Sequence, residues 1–159
     1  MDAAAVVNLV IAGGVVVWVL VRDLTARPLK ETSRLGIVLF VVGIVESIQF
    51  LAQREPIAPA VGFLLLSVVI GVGLACGRAI SVRLWHEGDQ MFRQGNWVTL
   101  VLWIIGVGQH FLLDRVVAPG LAASTILLYL GIVIIAQRQT QLSRARGNAL
   151  RQVGRPPIG

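Results

Sequence analysis

Five apolar stretches, each close to twenty residues long, leave this chain few ways to fold. They run about Ala3–Val21, Arg34–Ala52, Ile57–Cys76, Trp97–Leu113 and Val116–Gln137. A helix needs about 20 apolar residues to cross the hydrocarbon of a bilayer. A 159-residue chain that is 56% hydrophobic and 14% charged, with a mean hydropathy of +0.81, holds more apolar surface than one soluble core of this size can hide. The expected fold is therefore an all-α, polytopic transmembrane helix bundle of about five spans, residues 1–137. A basic, disordered tail over residues 138–159 is expected to follow. Asp2 precedes the first apolar run and Arg22 follows it, the wrong polarity for a signal peptide, so the first stretch reads as a retained span.

The basic residues set the expected orientation. Arg22, Arg27, Lys30 and Arg34 cluster around the first connector, Arg78, Arg83 and Arg93 around the third, and Arg138, Arg144, Arg146, Arg151 and Arg155 in the tail. Five spans put these twelve on one side, with only Arg54 and Arg115 opposite. Cytoplasmic segments carry the excess of Lys and Arg, so the N-terminus is expected outside and the C-terminus inside a plasma membrane. A net charge of +6 then speaks for contact with anionic lipid headgroups and not for nucleic acid. Lone Cys76 excludes an internal disulfide, and no Cys/His spacing suits a metal or a haem, so neither cofactor nor metal is expected.

Small residues are expected where helices touch, since lipid gives helices no hydrophobic reason to associate. Ala58 with Gly62 and Gly73 with Gly77, each four apart in the third span, are the candidates, with Gly13, Gly14, Gly43, Gly106 and Gly131 as further points of close approach. In the third connector Ile80, Val82 and Leu84 alternate with Ser81, Arg83 and Trp85. His86-Glu87-Gly88-Asp89 reads as a turn and Gln90–Arg93 as the returning strand, predicting a short amphipathic hairpin on the cytoplasmic face. Trp85 and Trp97 are expected at the membrane interface.

Polar side chains at bilayer depth cost about 2.5–3.5 kcal/mol or more when charged, so each one asks for a reason. Glu46 lies about 18 Å from the cytoplasmic end of its span at 1.5 Å per residue, and His110 reaches nearly the same depth. Asp114 shares a helix face with His110, whereas Gln109 is expected to point elsewhere. The cytoplasmic halves of the spans read as apolar apart from Trp18 and Ser67. Asn8, Glu46, Gln49, His110, Asp114 and Thr125 are therefore expected to converge in the outer half, in a pocket walled by Phe50, Trp103, Phe111 and Tyr129. A carboxyl in low dielectric has a raised pKa, which suits Glu46 as a general acid with His110 and Asp114 as the complementary base pair. The expected substrate-binding residues are Asn8, Gln49, Phe50, Trp103, Phe111 and Tyr129. This points to an enzyme acting on a lipid-soluble substrate, an isoprenoid in a terpene-cyclase-like reaction, with aromatic faces stabilising a carbocation.

The run Gly77–Trp85, then Glu87-Gly88-Asp89, Phe92–Gly95, Thr99-Leu100 and Leu102-Trp103 resembles a loop pattern in small bacterial membrane proteins grouped with CcdC, a name tied to cytochrome c biogenesis. The likeness covers about a sixth of the chain. It implies a bacterial inner-membrane protein and a non-catalytic assembly or partner role, worked through the hairpin, Trp85, Phe92 and the tail. A proton-coupled transporter built from several copies, with Glu46 and His110 as relay, is the third reading. The expected partners are membrane lipids, a hydrophobic small-molecule substrate and further copies of the chain.

Overall fold

The computed structural model describes residues 3–28, 34–53, 57–88, 90–117 and 120–153. Among these, five helices and three short strands follow in the order α1 (Ala3–Leu24), β1 (Arg27–Pro28), α2 (Arg34–Ala52), α3 (Ile57–Ser81), β2 (Arg83–Glu87), β3 (Gln90–Gln94), α4 (Trp97–Val117) and α5 (Leu121–Val153). Three helical stretches are long and apolar enough to cross a bilayer, Arg34–Ala52, Ala58–Ser81 and Leu121–Gly147, and Trp97–Leu112 is a shorter apolar helix. Val10, Val17, Val38, Ile48, Leu65, Val69, Ile104 and Leu112 all face outward. So large an apolar outer surface suits lipid and not water.

α5 is the inner helix of the bundle and packs against all four others. Its apolar stretch is 61% buried, against 22% for those of α2 and α3. Tyr129, Leu130 and Val133 on α5 meet Leu39, Ala75 and Trp103 in the core. The tightest crossing is α2 on α5. A Cβ on Gly43 would stand 2.1 Å from the backbone nitrogen of Leu128, and one on Gly131 would stand 2.5 Å from that of Phe40. Only glycine permits such backbone approach. Gly62 and Gly73, expected from their spacing to mark a contact, have nothing within 4 Å of a built Cβ, and Gly77 only an ordinary contact with Leu102. The close approach on α3 is instead at Gly71, where a Cβ would stand 2.5 Å from the Tyr129 ring.

Two elements run further than their sequence suggests. α3 continues through Ser81, so the alternation from Ile80 to Val82 is not a strand. Arg78 and Ser81 draw this turn inward, where Ser81 meets Thr99 of α4 at 3.1 Å. α5 likewise passes through Arg138 to Val153, where a disordered tail was expected. Its Gln, Arg, Ala and Leu residues favour helix, and Gln141 and Arg144 dock on the bundle, Arg144 donating to the carbonyls of Ala79 and Val82. Residues 154–159 of that expected tail lie outside the described residues.

β2 and β3 pair antiparallel, with Trp85 opposite Phe92 and their rings stacked at 5.9 Å. Gly88 supplies the positive φ of 60° at the turn. β1 then joins the far edge of β3, setting Arg27 opposite Arg93. Asn96 caps α4 by accepting the backbone N–H of Thr99 at 3.1 Å, and Thr99 Oγ1 returns the favour to the N–H of Asn96 at 3.2 Å. The small sheet is thereby tied to the end of the bundle where α1 and α3 finish and α4 begins.

Candidate functional site: a buried polar column and an arginine pocket

Asp23, on the last turn of α1, is the organising charge. The backbone N–H of Gly95 donates to its carbonyl at 2.6 Å, and a Cβ at Gly95 would stand 2.7 Å from that oxygen, so glycine lets β3's end close on α1. The Asp23 carboxylate is 5% exposed and receives Arg93 Nη2 at 2.9 Å on Oδ1. On Oδ2 it receives Gln137 Nε2 at 2.9 Å and Trp103 Nε1 at 3.3 Å. One carboxylate thus ties α1, β3, α4 and α5 together. Arg78 on α3 is fully buried. Its Nε donates to Gln137 Oε1 at 3.1 Å and its Nη1 to the carbonyl of Leu102 at 3.2 Å, while its guanidinium lies 4.1 Å over the Trp103 ring. A buried charge is tolerable only when paired and hydrogen-bonded, and the Gln137 amide bridges Arg78 to Asp23.

The network opens at one end into a cavity of about 260 Å³ lined by Arg22, Arg27, Pro28, Arg93 and Arg138. Local structure places each cation. Arg22 precedes Asp23, Arg138 follows Gln137, and β1–β3 pairing sets Arg27 beside Arg93. Burial, together with the charges of Arg93 and Arg27, holds the Arg22 guanidinium below its usual pKa. Counting Arg78, five guanidinium groups belong to this region, against the Asp23 carboxylate among the described residues. Arg93 also donates from Nη1 to Gln141 Oε1 at 3.0 Å. Two buried donors of this region, Arg78 Nη2 and Gln141 Nε2, have no acceptor among the described residues. Among the described residues the region is short of negative charge and of acceptors.

A second polar group lies deeper, around His110. Thr125 Oγ1 already donates to the carbonyl of Leu121 at 2.8 Å, so toward His110 Nε2 at 3.3 Å it accepts. That puts the ring proton on Nε2. Nδ1 then accepts from Ser67 Oγ at 2.8 Å, and Ser67 Oγ accepts from Gln109 Nε2 at 3.1 Å. A neutral imidazole satisfies every one of these directions. Tyr129 stacks on the His110 ring at 4.5 Å, receives Gln109 Nε2 at 3.2 Å and donates to the carbonyl of Gly106 at 2.6 Å. A Cβ on Gly106 would lie 3.2 Å from Tyr129 Oη and 3.3 Å from Arg78 Nη1, so Gly106 is where the two polar groups approach. From Thr125 to Gln141 the column spans sixteen residues of α5, about 24 Å of helix rise.

The structure therefore collects some of the expected residues and separates others. His110, Thr125 and Tyr129 share one cluster, with Phe111 edge-on to His110 at 6.1 Å. Ser67 and Gln109 join it, although the sequence assigned Ser67 to an apolar half and turned Gln109 away. Helix rotation decides such contacts, and depth alone does not. Trp103, expected in the same wall, belongs to the Asp23–Arg78 network. Glu46 and Phe50 are half-buried on α2, and Gln49 is exposed. The side chains of Asn8 and Asp114 lie outside the described residues. Asp23, Gln137 and Gln141 were not singled out in the sequence, and Arg78 and Arg93 were read for orientation, for the hairpin and for the loop resemblance, not as site residues. The available signal was an acidic residue amid the basic first connector.

Compared with protein-family models, with curated proteins and with solved structures, the chain has no match.

Proposed function

We propose that this chain is an integral membrane protein that binds the phosphate-bearing headgroup of an anionic lipid at the basic end of its helix bundle. The observation that carries this reading is the convergence of Arg22, Arg27, Arg93 and Arg138 on one cavity. Arginine's planar fork matches phosphate oxygens bidentately, and partial desolvation strengthens each such bond. The bias of basic residues puts this end in the cytoplasm of a five-span protein of the plasma membrane, where anionic headgroups are plentiful. The exposed Ile80 and Trp97 flank the same end, as interfacial anchors do.

An acid–base enzyme working through Glu46 and His110 is the alternative. In the His110 cluster Ser67 and Thr125 hold both ring nitrogens, the geometry such an enzyme would work from. The test is native mass spectrometry of the full chain released from detergent with phosphatidic acid or phosphatidylcholine. Phosphatidic acid adducts are expected to dominate and to fall at least about tenfold in Arg22→Gln/Arg138→Gln, the loss of about 1.4 kcal/mol. Equal adducts of the two lipids, or an unaffected double variant, would overturn the reading.

A further inference from the structure

The small sheet has the strand order β1-β3-β2, so among the described residues β1 and β2 are its edges. The two edges are unlike. β1 is two residues long and ends on Pro28, which has no N–H to offer a neighbouring strand. β2, on the opposite edge, runs for five residues, Arg83–Glu87. It carries neither proline nor lysine, the residues with which natural edges are blunted.

Parity along β2 says which backbone groups face outward. Glu87 pairs with Gln90 across a two-residue turn, and the pair that closes such a turn is hydrogen-bonded. Hydrogen-bonded pairs alternate in an antiparallel ladder. Glu87, Trp85 and Arg83 therefore bond to β3, while Leu84 and His86 aim their N–H and C=O away from it. Val82, of the same parity, agrees. Its N–H goes to the Arg78 carbonyl at 3.1 Å, and its own carbonyl accepts from Arg144 at 3.3 Å.

The side chains of Arg83, Trp85 and Glu87 share one face of β2, a cation, an indole and an anion in line. The two charges are four residues apart, about 13 Å of strand, too far to pair with each other. On β3 they stand opposite neutral amides, Arg83 against Gln94 and Glu87 against Gln90, and both are exposed. The same strand laid antiparallel, Trp85 opposite Trp85, supplies the charges that β3 does not. Arg83 then stands opposite Glu87 of the copy, and Glu87 opposite its Arg83. In that register Leu84 and His86 also fall into the hydrogen-bonded pairs. The neighbouring registers that keep those bonds set Arg83 or Glu87 against Trp85 and lose both ionic pairs.

From this self-complementary pattern we infer that two copies of the chain associate through β2, edge to edge and antiparallel about Trp85, joining their sheets across a two-fold axis. The inference is independent of the headgroup reading, because neither Arg83 nor Glu87 lines the arginine cavity.

The test is Förster transfer between donor- and acceptor-labelled copies of the full chain in phosphatidylcholine vesicles, read across a dilution series. The native chain is expected to show transfer that falls on dilution. Arg83→Glu sets acid against acid on both sides of the axis, and Glu87→Arg sets base against base. Each alone is expected to weaken association at least about tenfold. The double variant Arg83→Glu/Glu87→Arg restores opposite charges and is expected to return to within about threefold of the native chain. A mixture of the two single variants is the sharper arm, because each is then the complement of the other. They are expected to associate with one another at least about tenfold more tightly than either does with itself. A native chain without transfer at any dilution overturns the inference, as does association that both single substitutions leave unchanged. Loss in the single variants with no recovery in the mixture overturns it too, since that marks damage to the fold and not a mismatch of charge.

Discussion

The two polar regions inside this bundle share glutamine amides and little else, and they come to opposite ends. Around His110 the hydrogen bonds to Ser67 and Thr125 have directions that one neutral imidazole tautomer meets. The one open atom there is an acceptor, Gln109 Oε1. Around Asp23 the open atoms are donors, Arg78 Nη2 and Gln141 Nε2, and cations outnumber the carboxylate. The His110 cluster joins α3, α4 and α5. A cationic network beside a cavity joins helices too, but among the described residues it keeps donors without acceptors. The difference shows that burial of polar groups is a poor guide to a site, and that the balance of donors, acceptors and charge is a better one.

Three substitutions sharpen that contrast. The largest effect is expected from Asp23→Ala, which strips Arg93 and Gln137 of their acceptor and leaves two buried cations uncompensated. A loss of about 3–5 kcal/mol is expected, read as a large drop in melting temperature in detergent; a drop no greater than that of Ser67→Ala would show that Asp23 does not organise this end. Ser67→Ala removes the donor to His110 Nδ1 and the acceptor of Gln109, and should cost about 1–3 kcal/mol. Anion affinity should be unchanged, because the His110 cluster closes on itself. A changed affinity would instead couple the two regions through Gly106. Smallest of all, Gln49→Leu should alter stability by less than about 0.5 kcal/mol and leave anion binding intact, since Gln49 is exposed on α2. A stronger response would place Gln49 in an interface.

The apolar helices were readable along the chain, and pairing was not. The hydropathy of α2, α3 and α5 is a local property, summed over about twenty neighbours, so apolar helices emerge from composition alone. His110 with Thr125 and Tyr129 was foreseeable because equal depth on adjacent spans narrows the choice of partners. Trp103 went to the wrong group because its indole N–H and ring face could serve either, and only the position of Asp23 selects between them. The extension of α5 past Arg138 was hidden for the same reason. A basic, polar stretch looks like a tail until Gln141 and Arg144 find acceptors on other elements.

By itself, then, the order of residues determined where apolar helices form, which ends are basic, and that His110 must be sheltered, since these follow from solvation and from helix geometry over short range. Tertiary structure alone decided that Asp23, Arg78, Arg93, Trp103, Gln137 and Gln141 form one network. Asp23 and Gln137 are 114 positions apart, and no local pattern records that they touch. Which face of each helix turns inward is set by the packing of Gly43 and Gly131 at the α2–α5 crossing and by the closure of β3 on α1. That rotation, more than any residue's identity, gave the two polar clusters their different balance of donors and acceptors.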